Sequence, residues 1–188
     1  MALTRRFTAA LQFAAELHQQ QVRKGSGIPY IAHLLGVTAI ALEYGADEDE
    51  AIASLLHDAI EDQGGAPTRA EIRRRFGDRV TAIVDGCTDA DVIPKPPWRE
   101  RKERHLAHLA SADASVRLVA AADKLHNARA ILKDFRCLGA PLWDRFRGGR
   151  EGTLWHLRAM CDTLQAAGRS PLTDELGLVV AEIERLAR

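Results

Sequence analysis

The chain lacks most of the features that assign a protein to a class at a glance. It has no net charge, because 26 basic and 26 acidic side chains cancel. Without a global field to draw nucleic acid or an anionic membrane, any anionic ligand must be met by local clusters of charge. Only three cysteines are present (Cys87, Cys137 and Cys161), widely spaced and with no CxxC pair. An odd, scattered set offers no disulfide framework and reads as reduced thiols buried as small apolar groups. No apolar run approaches the length that spans a bilayer. The N-terminal stretch MALTRRFTAALQFAAELH turns polar within a few residues, which argues against a secretory leader. Internal repeats, low-complexity tracts and separating linkers are missing too. The expectation is a soluble cytoplasmic protein that binds neither nucleic acid nor membrane; its oligomeric state is left open.

Alternating strand patterns are also missing, and helical periodicity dominates. With 188 residues, 46% apolar and 28% charged, the chain is long and apolar enough to bury a substantial core. Thr4 or a neighbour caps a first helix to about residue 22, with Phe7, Ala10, Leu11, Ala14 and Leu17 on one face. Two glycines and a proline make 23–30 (RKGSGIPY) a loop, and a second helix runs over 31–44 with Gly45 as its stop. Asp47 caps a third over 48–62, and Thr68 with Glu71 reads as a capping box for a helix ending at Phe76. Residues 79–87 form a short helix, and 89–97 (DADVIPKPP) a long surface loop. Helices then follow over 98–110, 114–134, 153–167 and 172–187. The fold class expected is all-α, a single-domain bundle of about 8–10 helices.

Against this plain background one run stands out: His57-Asp58-Ala59-Ile60-Glu61-Asp62. On a helical wheel of about 100° per residue, the imidazole and three carboxylates occupy one side, while Ile52, Ala53, Leu55, Leu56, Ala59 and Ile60 fill the other. Like charges one turn apart destabilise a helix unless a cation sits among them, and no lysine or arginine lies within the run. A solvated polar face is the alternative. Asp123 sits in a second helix, SVRLVAAADKLHNARAIL, that is apolar nearly all round. A buried unpaired carboxylate is costly enough to demand a cation or surrender its charge. An arginine from another helix is one possible partner; Lys124 points about 100° away on the wheel. His33, just after the 23–30 loop, is placed to supply a further ligand. His18, His105, His108 and His156 read as helix-surface or core-edge residues, and His126 as a packing or bracing one. Two imidazoles and two carboxylates make a mixed N/O set that suits Mn²⁺, Fe²⁺, Ni²⁺, Co²⁺ or Zn²⁺.

A histidine, then His-Asp, then a distant aspartate in an all-α chain resembles the HD-domain metal phosphohydrolases. The stretches RKGSGIPYIAHLLGV, ASLLHDAIEDQ, FGDRVTAIVDGCTD, VAAADKLHNARAIL and GREGTLWHLRAM extend the likeness. Together they resemble the hydrolase domain of the RelA/SpoT alarmone enzymes, and most of all the small free-standing hydrolases of the Mesh1 type. The resemblance implies an HD-type bundle over 1–188, with a metal-binding core over about 23–130 and C-terminal helices over 149–188 packed on it. It implies a metal, usually Mn²⁺, on His33, His57, Asp58 and Asp123, and catalysis by Glu61 and Asp62. It places Arg23, Lys24 and Asn127 on a small-molecule nucleotide, with Trp143, Arg147 and Arg150 as further contacts. The reaction implied is hydrolysis, without synthesis, of guanosine-3′,5′-bis(diphosphate) at its 3′ pyrophosphate. Lys95, Arg101 or Arg104 would add cationic help against the repulsion between Glu61, Asp62 and the substrate. Two positions depart from the pattern: Ala130 replaces a threonine found in the long enzymes, and His156 a tyrosine. The other readings are a phosphatase of a different ribose-phosphorylated nucleotide such as NADPH, and a non-catalytic nucleotide sensor.

Overall fold

Residues 51–56 are shut off from solvent on every side, Ser54 included. They belong to α3 (Glu48–Leu56), which starts on a complete capping box between Asp47 and Glu50 and carries three acids in its first turn. Those acids complement the positive end of the helix, while the rest of α3 is free to be a central strut. Its neighbours α2 (Ile31–Glu43) and α8 (Ala114–Leu138) each bury one face against it, α8 along residues 116–128. Alanines at 120, 121, 122 and 128 let α8 approach α2 and α3 closely. Gly36 does the same from α2, since a Cβ there would lie 2.3 Å from the His126 ring on α8.

The computed structural model describes residues 2–89 and 96–188. Among the described residues there are ten α-helices and no strand, with one isolated bridge between Val22 and Pro29. Besides those already given, the helices are α1 (Arg5–Leu17), α4 (Ala59–Asp62), α5 (Ala66–Phe76), α6 (Asp78–Cys87), α7 (Trp98–Ser111), α9 (Gly149–Gly168) and α10 (Pro171–Leu186). A 3₁₀ helix, Ala140–Arg145, joins α8 to α9. Helix α1 packs on α3, α10 lies along α8, and α7 pairs with α9. No described helix is long and apolar enough to cross a membrane.

The all-α expectation agrees with this architecture, and several boundaries differ for physical reasons. The first helix ends at Leu17, well short of 22. The helix expected over 48–62 is two, α3 and α4, parted at His57 and Asp58. His57 Nδ1 lies 2.9 Å from the Ser54 carbonyl, taking the acceptor that the Asp58 amide would use in an unbroken helix. Thr68 does not cap α5: the helix starts at Ala66 behind Gly65, with Pro67 in its first turn, where a missing N–H costs nothing. The Thr68 hydroxyl donates to the Gln63 carbonyl, and Glu71 pairs with Arg74 and Arg75. Helix α8 runs four residues past 134, to Leu138, where Gly139 supplies the positive φ of 65° that ends it. Of the loop expected over 89–97, residues 90–95 lie outside the described residues.

Candidate active site

Two helices and the break between two others bring the sequence's polar outliers together. His33 stands in the first turn of α2, His57 and Asp58 in the break between α3 and α4, and Asp123 midway along α8. His57 Nε2 lies 2.9 Å from Asp58 Oδ2 and 3.7 Å from Asp123 Oδ1. His33 Nε2 lies 3.3 Å from Asp123 Oδ1 and 3.6 Å from Asp58 Oδ2. An ion that holds nitrogen and oxygen donors at about 2.0–2.2 Å sets neighbouring ones roughly 3–3.5 Å apart, and these four spacings bracket that range. The set also has an unused valence: His57 Nε2 is buried with no hydrogen-bond partner. Its Nδ1–H donates to Ser54, so the lone pair of Nε2 faces the two carboxylates. A divalent ion is the group that this donor set and this unsatisfied nitrogen fit.

Each donor is steadied from behind. The Tyr30 hydroxyl donates to Asp58 Oδ2 at 2.6 Å, and burial first, then Asp58, raises its pKa so that the proton stays. Lys124 Nζ reaches Asp123 Oδ2 at 2.6 Å, and Asn127 Nδ2 reaches Asp123 Oδ1 at 2.5 Å. The wheel reading had set Lys124 aside; it registers where the Cβ points but not the reach of a four-carbon stem that curls back along its own helix. His33 Nδ1 meets His126 Nδ1 at 2.9 Å. Burial, His33 and Arg23 depress His126 to about 4, so its ring is neutral.

Burial alone would favour neutral aspartates and a neutral His57, yet the site is strongly polarised. His57 outweighs burial to hold Asp58 well below the usual carboxylate range, and Lys124 with the two histidines does so for Asp123. The same two carboxylates overcome the burial of His57 and raise its pKa well above the imidazole value. Charges that grip a proton this tightly grip a metal cation in its place.

Glu61 and Asp62, on α4, line the chamber in front of this cluster, as do Arg23 and Lys24. Glu61 Oε2 accepts from the Asp89 backbone N–H at 3.3 Å, and Asp62 Oδ2 from Gln21 Nε2 at 2.8 Å. Arg23 Nη2 donates to Asn127 Oδ1 at 2.8 Å, tying the 23–30 turn to α8. The inner chamber, of about 340 Å³, opens into an outer cavity of about 320 Å³. Arg23, Lys24, Lys102, Lys124, Asn127 and Phe146 line both, so four cationic side chains ring the neck between them. Farther out, the walls are Ile28, Trp98, Ile131, Leu142 and Leu157, with Arg145 and Arg147 at the rim.

Some expected contacts fall elsewhere. Arg147 lines the outer cavity, but Trp143 is buried against Phe135 and Phe146. Arg150 turns away to the Ala187 carbonyl. Arg101 is buried against Asp89, Arg104 pairs with Glu100 on the surface, and Lys95 lies outside the described residues. Lys102 stands at the neck instead, held by Asp89 Oδ2 at 2.7 Å. Lys102 shares a helical face with Trp98 and His105, and all three line the site. His105 and His156, read as surface or core-edge residues, also face it, and burial depresses them to about 4 and about 3.

Known proteins resemble this chain in sequence and in fold. The chain is 42% identical over 123 residues to guanosine-3′,5′-bis(diphosphate) 3′-pyrophosphohydrolase MESH1 of Xenopus tropicalis, covering 64% of this chain and 66% of that one. It is 38% identical over 122 residues to the guanosine-3′,5′-bis(diphosphate) 3′-pyrophosphohydrolase of Aquifex aeolicus, covering 65% of this chain and 17% of that one. The matched stretch thus spans just under two thirds of the first relative and a small part of the second. The solved structure of a metazoan ortholog of SpoT that hydrolyses ppGpp shares the fold end to end, with a TM-score of 0.81 at 26% identity over 100% of this chain and 99% of that one. The crystal structure of a Listeria monocytogenes protein gives 0.73 at 27% identity, over 81% and 99%. The model of the HD domain matches residues 10–153, a stretch that contains all four converging donors, and on that match the chain belongs to the HD-domain family.

Proposed function

We propose that this chain is a Mn²⁺-dependent hydrolase of guanosine-3′,5′-bis(diphosphate) and its 5′-triphosphate counterpart, releasing pyrophosphate from the ribose 3′ oxygen. The observation that carries the reading is the convergence of two imidazole nitrogens and two carboxylate oxygens at the back of a chamber whose mouth is ringed by cations. The relatives named for this activity support it. In this reading 1–188 is one hydrolase domain, with its catalytic core over about 23–130 and helices over 149–188 packed against it.

His33, His57, Asp58 and Asp123 would hold the ion, their two negative charges matching a dication and their mixed N/O donors suiting Mn²⁺. Such an ion lowers the pKa of water and polarises a phosphoryl oxygen. Lys24, Arg23, Lys102 and Lys124 neutralise the phosphates and draw them past Glu61 and Asp62. The nucleoside occupies the outer cavity, whose volume is that of a small-molecule site. Glu61 and Asp62 take the proton of the attacking water as its oxygen bonds to the 3′ phosphorus. The bond from phosphorus to the ribose oxygen breaks, and that oxygen takes up a proton as pyrophosphate leaves with the added hydroxyl.

The test is purified protein, with and without Mn²⁺, offered guanosine-3′,5′-bis(diphosphate), NADPH and nucleoside 3′-monophosphates, with products separated by chromatography. Metal-dependent release of pyrophosphate and GDP is expected. Orthophosphate from NADPH alone would select the phosphatase reading, and binding without any turnover would select the sensor.

A further inference from the structure

The contact behind His33 has an uncommon chemistry. A metal-binding histidine usually donates its second N–H to a carboxylate, a backbone carbonyl or water. Here the partner is the Nδ1 of another imidazole, His126, at 2.9 Å, with the rings tilted by 60° and their centroids 4.8 Å apart. Two ring nitrogens at that distance share one proton, so one ring must donate and the other accept. His33 Nε2 is the atom that faces Asp58 and Asp123, so its lone pair belongs there and the proton belongs on Nδ1. His126 must then accept at Nδ1 and carry its own proton on Nε2.

The fold makes room for that orientation at one point. A Cβ on Gly36, one helical turn beyond His33 on α2, would lie 2.3 Å from His126 Cδ2 and 2.4 Å from its Nε2. Any larger residue at 36 would push the ring off its acceptor position.

We infer that His126 is a positioning residue that fixes the tautomer and the aim of His33 by accepting its Nδ1–H, and that Gly36 exists to seat it. This rests on the reading of His33 as a metal ligand. A supporting partner of this kind typically contributes about 10–100-fold in metal affinity.

The measurement is Mn²⁺ affinity by isothermal titration calorimetry on the full chain, alongside the melting temperature of the metal-free protein. His126→Leu should weaken Mn²⁺ binding about 10–100-fold with the metal-free melting temperature kept. His126→Gln, whose side-chain carbonyl can accept from His33, should recover most of that loss. Gly36→Ala should weaken binding in the same direction as His126→Leu. Wild-type affinity in His126→Leu overturns the inference, and so does an equal loss in the Leu and Gln variants, because packing would then matter and the acceptor would not. If His126→Leu fails to fold, the comparison of His126→Gln with Gly36→Ala decides: retained affinity in the first and loss in the second supports the acceptor role, and any other pattern overturns it. Failure of the wild-type chain to bind Mn²⁺ at all would instead overturn the ligand assignment.

Discussion

The inner chamber and the outer cavity are built by different means. In the inner chamber the side chains that face the proposed ion are short, rooted on α2, α8 and the α3–α4 break, and each is held by a second residue. Asp123 alone receives Lys124 and Asn127, while Tyr30 holds Asp58 and Ser54 holds His57. The outer cavity is lined by the later turns of α8 and by side chains from the 23–30 turn, the start of α7, the 3₁₀ helix and the start of α9, many of them long. Short, over-determined groups hold a reacting centre in place, whereas long cations can follow a flexible phosphate ester. The inner region should therefore be intolerant of substitution and the outer one graded.

Substitution tests that difference. Asp58→Ala or Asp123→Ala should abolish both metal content and turnover with the helical circular dichroism kept; residual activity in either would undo the ligand assignment. Glu61→Gln should bind Mn²⁺ normally while kcat falls by about 10²–10⁴, the usual range for a lost proton-handling group. At the neck, Lys102→Ala should act mainly on KM, by roughly 10-fold or more as a charge-assisted hydrogen bond is lost, and Arg147→Ala at the rim should do less. An Arg147→Ala effect on kcat as large as that of Glu61→Gln would erase the distinction between the two regions.

The smallest effect concerns stability. Burial depresses His105 to about 4 and His156 to about 3, against an ordinary value of 6.5. Below 6.5 the unfolded chain protonates these rings and the folded one does not, so stability falls as pH drops from 6.5 toward 4. Replacing His156 with phenylalanine should flatten that part of the melting-temperature profile by a few degrees, and an unchanged slope would mean that the ring is not buried as described.

The inner region was the legible one. Asp123 breaks a strong apolar pattern, and His57 and Asp58 belong to an unrelieved cluster of charge. Both are visible without a structure because such groups demand a partner, while His33 is marked by its place just after the 23–30 loop. The helix count followed from periodicity in the same way. The outer region was poorly legible: Trp143 and Arg150 looked like ligand contacts and point elsewhere, while Lys102 was passed over in a run, WRERKERH, that reads as solvated surface. A long cation is compatible with surface, ion pair or ligand, and its local sequence does not distinguish them. The α3–α4 break escaped for a related reason, since a side chain competing for its own helix's carbonyl leaves no mark on the apolar pattern.

The sequence by itself determined the all-α class and the order of most elements, and it singled out four polar residues that the fold then brings together. Those properties follow from the cost of burying charge and from a repeat of 3.6 residues, both of which act along the chain. Tertiary structure alone decided that Nε2, not Nδ1, of each histidine faces the carboxylates, that Lys124 curls onto Asp123, and that Gly36 leaves space for His126. Those outcomes depend on how closely separate helices approach, a distance set by packing around the whole core.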